Sequence, residues 1–142
     1  MRWTHVPANR PRGGGTLLGL VGAAAPQASA EVSTAAVVIA NYGWPQATLG
    51  PFFPGESGTV WYGRQAVNDG YDVVRIASHE FGHILGLPDD KPGPCESLMS
   101  GSTGGVDCTN AIPNAEEIAA VEANYAGGRI AAPHKGTVVV DR

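Results

Sequence analysis

The chain has 142 residues, nine Lys+Arg against thirteen Asp+Glu, and a formal net charge of −4. A length of one domain, at about 100 to 200 residues per domain, excludes a multidomain machine, and the acidic balance excludes a basic field able to hold a phosphate backbone. Twenty Gly and eleven Pro beside only 15% charged residues call for long loops and exclude a helical bundle.

The charge is unevenly placed. Arg2, Arg10 and Arg12 precede every acidic residue, so residues 31–142 keep six Lys+Arg against all thirteen acids, a balance of −7. A basic stretch, the apolar run Leu17 to Ala25 and the small residues Ala28-Ser29-Ala30 follow the layout of a secretory signal with cleavage before Glu31. The competing reading is an N-terminal extension without order. No other stretch approaches the ~18 consecutive apolar residues of a membrane span, so the expected product is soluble and secreted.

Beyond the signal, Thr34 to Ala40 (TAAVVIA) is a short β-branched run that stops at Asn41-Tyr42-Gly43 and predicts a strand ending in a turn. Gly43 to Gly58, with Pro45, Pro51 and Pro54, predicts an irregular loop. Thr59 to Gly63 predicts a second strand and Asp69-Gly70 a turn. Asp72 is placed to cap a helix running from Val73 through Leu85, with Gly86 as the left-handed residue that ends it. At about 100° per residue, Val74, Ala77, Phe81 and Leu85 share the expected core face, while His79, Glu80 and His83 occupy the opposite arc. Pro88 to Pro113 predicts loop. Asn114 caps a second helix with Glu117 in the reciprocal capping-box position, Ile118, Val121 and Tyr125 on one face and Gly127 as its stop. The tail, Gly128 to Arg142, offers only the apolar patch Val138 to Val140. Arg64 and Arg75 read as surface charges paired with nearby acids.

His79-Glu80-Phe81-Gly82-His83 is H-E-x-x-H on the predicted helix. Imidazoles four residues apart lie on one face and can converge on a tetrahedral Zn2+ at about 2.0 to 2.1 Å, with the intervening glutamate toward the metal's open side, which makes Glu80 a base and not a ligand. The bland reading is two histidines hydrogen-bonded in a packed helix. Gly86 lets the chain fold back, and Asp89, three residues further on, falls where a third ligand reaches the metal, with Asp90 as the competing acid. Two neutral imidazoles and one carboxylate leave a fourth position for water, as in a catalytic site. Between Cys95 and Cys108 lies Leu98-Met99-Ser100-Gly101. A methionine in a turn there would form an apolar floor under the metal, an ordinary core methionine being the alternative. The two cysteines would pair in an oxidising compartment; as soft metal ligands, the alternative, they lack the spacing of a zinc ribbon.

The stretches HEFGHILGLPD, PGPCESLMSG and CTNAIPNAEE resemble the snapalysin family of small secreted metalloproteases, whose pattern ends in Asp where most metzincins have His. The likeness runs from Gly43 to Tyr125. It implies an α+β, single-domain, metzincin-like fold, a small twisted mixed sheet with a zinc-site helix and a C-terminal helix. It further implies a zinc endopeptidase with His79, His83 and Asp89 as ligands, Glu80 catalytic, Gly86 in the turn, Met99 in the Met-turn and Cys95 bonded to Cys108. A preference for a bulky aromatic residue just after the cleaved bond comes with it, as does a Ca2+ site that maps partly onto Asp72. Helix capping is the competing role there, and Val74 stands where a hydroxyl residue can be found. Two further departures stand: the family's N-terminal strand and long helix have no room between the signal and Thr34, and Lys91 replaces a tyrosine that some members place near the metal. On this reading 1–30 is the signal, 31–127 the metalloprotease domain and 128–142 a tail. Partners are protein and peptide substrates, without nucleic acid or membrane, and the chain is a monomer. An extended substrate would lie along Thr59 to Gly63 as a sheet edge. The rival is a truncated secreted zinc-binding relative with weak or no turnover, which shares every motif residue.

Overall fold

The computed structural model describes residues 35–41, 43–127 and 132–142; the expected export signal lies outside the described residues. Four strands, β1 (Ala35–Asn41), β2 (Gln46–Thr48), β3 (Ser57–Gly63) and β4 (Val138–Val140), form one sheet in the order β1-β3-β2-β4. β1 runs parallel to β3, from Ala35 opposite Ser57 to Asn41 opposite Gly63. β2 is antiparallel to β3, with Ala47 opposite Val60, and β4 is antiparallel to β2, with Val139 opposite Ala47. The sheet is mixed and the class is α+β, as expected. Two expectations change. β3 has a neighbour on each side, so Thr59 to Gly63 is an interior strand and not an edge. The stretch read as loop holds β2, which at three residues is too short to show alternation, and the tail supplies β4.

β3 passes directly into a short helix, α1 (Arg64–Asn68), and the chain turns at Asp69-Gly70, with Gly70 at φ 94°. α2 (Val73–Ile84) and α3 (Ala115–Ala126) match the two expected helices, and a 3-10 segment, Leu98–Gly104, interrupts the long loop between them. Asn114 and Glu117 form the reciprocal capping box, and Gly127 is the C-cap of α3.

The core has two parts. Ala47, Phe52, Val60 and Ile84 pack α2 against the sheet, and a Cβ at Gly58 would come within 2.5 Å of Ile84 Cδ1, so the end of the helix sits directly on β3. Leu87, Leu98 and Met99, with Val121 of α3 against them, fill the other side. At about 1.5–3 kcal/mol for each large apolar side chain fully buried, the two clusters clamp the C-terminal half of α2 from both sides. The face of α2 differs from expectation. Val74 is 60% and Phe81 44% exposed, while Arg75, Ile76, His79, Glu80, His83 and Ile84 are buried. The exposed stripe borders an apolar groove of about 360 Å³ lined by Val74, Phe81, Leu85, Leu87, Leu98 and Val121. Periodicity locates an apolar stripe without saying which layer covers it, and among the described residues none does.

Candidate metal centre

Both ends of α2 are held. Asp72 Oδ1 accepts the Arg75 N–H at 2.7 Å. At the other end Gly86 takes φ 91°, its N–H donates to His83 O and the Leu87 N–H to Gly82 O, each at 2.9 Å, the bond pair of a Schellman end. A Cβ on Gly86 would come within 2.9 Å of the Pro51 nitrogen, so close approach and positive φ both call for glycine. This reversal lays Asp89 over the helix: its Oδ1 is 3.3 Å from Nε2 of His79 and 3.3 Å from Nε2 of His83. Asp90 instead accepts the Ser97 hydroxyl at 3.3 Å.

The three side chains fit a cation by their own chemistry. His79 Nδ1 lies 3.0 Å from Leu98 O and His83 Nδ1 2.7 Å from Leu87 O. A carbonyl only accepts, so each Nδ1 carries the proton and each Nε2 presents its lone pair. Both Nε2 atoms and Asp89 Oδ1 are buried without a hydrogen-bond partner, and they face one another with ligand atoms within 4.8 Å. Three converging lone pairs are costly to bury unless a positive charge lies between them. Two imidazole nitrogens and one carboxylate oxygen are a donor set suited to zinc. The surrounding carboxylates favour positive charge at this point. Burial works to raise the Asp89 carboxyl, but His79, His83 and the Lys91 ammonium outweigh it and hold Asp89 well below the usual carboxylate range. Burial likewise works to lower His79, and Asp89 and Asp141 reverse the sign and raise it.

Glu80 points into the same space. It is fully buried, neither carboxylate oxygen has a partner, and its pKa is pushed up to about 8, mainly by burial, with His79 opposing and Asp141 and Asp89 reinforcing the rise.

The 3-10 segment packs against α2 beside the histidines. Met99 is 2% exposed, and a Cβ at Gly82 would lie 2.5 Å from its Sδ. Glu117 grips this segment from α3: Oε1 accepts the Met99 N–H at 2.8 Å and the Ser97 hydroxyl at 2.9 Å, and Oε2 accepts the Leu98 N–H at 3.2 Å. Cys95 is bonded to Cys108, with Cα atoms 5.6 Å apart. Arg75, expected at the surface, is 4% exposed. Its guanidinium donates to the carbonyls of Asn110 at 2.8 Å, Ser97 at 3.0 Å and Gly101 at 3.1 Å, and to the Ser100 hydroxyl at 2.9 Å. A planar fork of five donors satisfies loop carbonyls that no helix or strand would pair.

Two further charged residues join the site: Lys91, at the position where some relatives of the resembled family carry a tyrosine, and Asp141, which no motif signals. Asp141 Oδ2 lies 3.9 Å from His79 Nε2, and Asp141 forms with His79 and Glu80 a second group of ligand-capable atoms. Lys91 bonds Asp141 and stands 3.7 Å from Asp89 Oδ2. No spacing rule links Asp141 to residues so distant in sequence. Asp72 lies outside both groups found among the described residues.

Fold and site together define a class, an α+β domain with a buried two-histidine, one-carboxylate cluster on one helix and the turn after it. The profile of the Streptomyces extracellular neutral proteinase (M7) family matches residues 53–128, and the chain belongs to that family. Its relatives include the extracellular small neutral protease of Streptomyces caespitosus, 52% identical over 61 residues, or 43% of this chain and 46% of that protein. The proteins of the same name from Streptomyces sp. (strain C5) and Streptomyces coelicolor are 50% identical over 68 residues and 49% over 63, covering 48% and 44% of this chain and 30% and 29% of theirs. The chain thus spans less than half the length of the curated relatives it matches. Among the described residues no helix is long and apolar enough to cross a membrane.

Proposed function

We propose that this chain is a secreted zinc-dependent endopeptidase in which His79, His83 and Asp89 hold the metal and Glu80 is the general base. The observation that carries the reading is the set of three buried, partnerless lone pairs converging from two histidines and an aspartate. The relatives' name, extracellular small neutral protease, and the export-signal layout support secretion.

A bound Zn2+ supplies Lewis acidity, lowering the pKa of water and polarising a peptide carbonyl. The Leu98 and Leu87 carbonyls orient the two rings. Glu80 takes one proton from the water that attacks the scissile carbonyl and delivers a proton to the amine as the C–N bond breaks. Burial has raised its basicity, and a bound cation would lower that value toward neutrality, where a base both accepts and returns a proton. Met99 and Gly82 close the site from below. Since β3 has strands on both sides, the extended substrate is placed against β2 on the side that β4 takes, β2 continuing into Gly50, the donor of a 2.7 Å bond to His83 O. Asp72 caps α2, so calcium forms no part of the reading.

The purified protein is expected to carry zinc by elemental analysis and to clear casein, with chelation abolishing and zinc restoring the activity. Glu80→Gln is expected to keep the metal and to cleave at least about a hundredfold more slowly. Metal-free native protein, or robust cleavage by Glu80→Gln, would overturn the assignment; retained metal without cleavage by the parent or by the shortened chain described below would favour the non-catalytic rival.

A further inference from the structure

We propose that residues 136–141 are a built-in inhibitory strand, which occupies the β2 edge where substrate would lie and delivers Asp141 beside His79 and Glu80. The proposal rests on the endopeptidase reading.

β2 has two edges. β3 takes one, and the segment takes the other through a continuous run of backbone bonds: Gly136 N–H to Leu49 O at 2.7 Å, Leu49 N–H to Thr137 O at 2.8 Å, the Val138 to Val140 pairing, and Asp141 N–H to Pro45 O at 2.8 Å. An extended peptide that adds to a sheet needs such an edge and gains affinity through the same main-chain bonds. The segment therefore holds the position that a peptide ligand added to this edge would take. Its grip is shallow along the strand, since Val138 and Val140 are 49% and 44% exposed.

The end of the strand goes deep. Asp141 is 4% exposed, and its carboxylate groups with His79 and Glu80, apart from His83 and Asp89. Its Oδ2 stands 3.9 Å from His79 Nε2 on Glu80's side of the cluster, where it obstructs the approach of a substrate to His79 and Glu80. The place is prepared for it. Ser102 N–H donates to Asp141 Oδ1 at 3.2 Å, Lys91 Nζ bonds the same oxygen, and any Cβ at Gly101 (φ 52°) would strike it. Neither Glu80 oxygen has a hydrogen-bond partner, so Asp141 sits beside the base without bonding it. Withdrawal of the segment opens the β2 edge and the approach to His79 and Glu80 in one movement.

The test compares the full chain, Asp141→Asn and a variant ending at Lys135, each loaded with Co2+, whose visible absorption reports its ligands. Acetohydroxamate is expected to perturb the spectra of both variants at concentrations at least about tenfold lower than in the full chain. Both variants should cleave a fluorogenic peptide with kcat/KM raised about tenfold or more, and a synthetic peptide of residues 134–142 should inhibit the shortened chain competitively. Asp141→Asn keeps the strand and carries the test if the shortened chain does not fold. Unchanged hydroxamate affinity and unchanged or lower kcat/KM in variants that retain cobalt would overturn the inhibitory strand while leaving the endopeptidase standing. Failure of all three proteins to bind cobalt would overturn the endopeptidase, and the inhibitory strand with it.

Discussion

Between its two histidines α2 carries a glycine, the residue that costs a helix interior most after proline. Replacing it with alanine should gain about 1 kcal/mol of helix propensity. The added Cβ, however, would lie 2.5 Å from Met99 Sδ and 3.2 Å from its Cε, and overpacking a filled core costs about 1–3 kcal/mol. The second effect wins because Met99 is pinned by the Glu117 bond to its own N–H. Gly82→Ala is therefore expected to be neutral to about 2 kcal/mol destabilised in a urea titration and to bind zinc more weakly, as the floor shifts under the rings. In a double-mutant cycle, Gly82→Ala should cost less in a Met99→Ala background than in the parent; strict additivity would show that the two side chains do not meet.

At the scale of elements, α3 matters through one residue. Glu117 closes the capping box, its Oε2 accepting the Asn114 N–H at 2.8 Å, and the same carboxylate anchors Ser97, Leu98 and Met99. Burial works to raise its pKa, but the bonds from Met99, Asn114, Ser97 and Leu98 outweigh it and lower the value in the folded state. A depressed carboxylate contributes stability that is present above its unfolded pKa, near 4.3 for glutamate, and lost as pH falls through the folded value. Unfolding free energy should thus decline as pH drops below about 5. Glu117→Gln should flatten part of that acid limb and lower stability at neutral pH by about 1–3 kcal/mol, since a charged acceptor of several N–H bonds is lost. Thermal melts across pH 3 to 7, parent against variant, measure both.

At the scale of the whole molecule, the loop that floors the site has little regular structure and is held by three independent ties: Glu117, the Arg75 guanidinium and the disulfide. Cys95 and Cys108 are 13 residues apart, and closing a loop of that size stabilises by about 3 kcal/mol in the chain-entropy model. Reduction of the disulfide is expected to lower the melting temperature and, because Met99 lies inside the closed loop, to weaken zinc retention against a chelator. A reduced protein that melts and holds zinc like the oxidised one would mean that Arg75 and Glu117 suffice.

His79, Glu80, His83 and Asp89 were legible in the chain itself because their relations are local: one helical turn separates the histidines, and a glycine end followed by three residues brings the carboxylate back. The caps Asp72 and Asn114, the stop Gly86 and the two helices follow from equally short-range rules. What the tertiary structure alone decided is everything that depends on long-range pairing. It made both β3 and β2 interior strands, left the apolar stripe of α2 exposed, buried Arg75 among loop carbonyls, and brought Asp141 beside His79 and Glu80 from a stretch that carries no motif. Local sequence encodes backbone conformation and spacing on one element; which elements become neighbours is settled by packing and by the pairing of every remaining backbone donor and acceptor, quantities that no single segment contains.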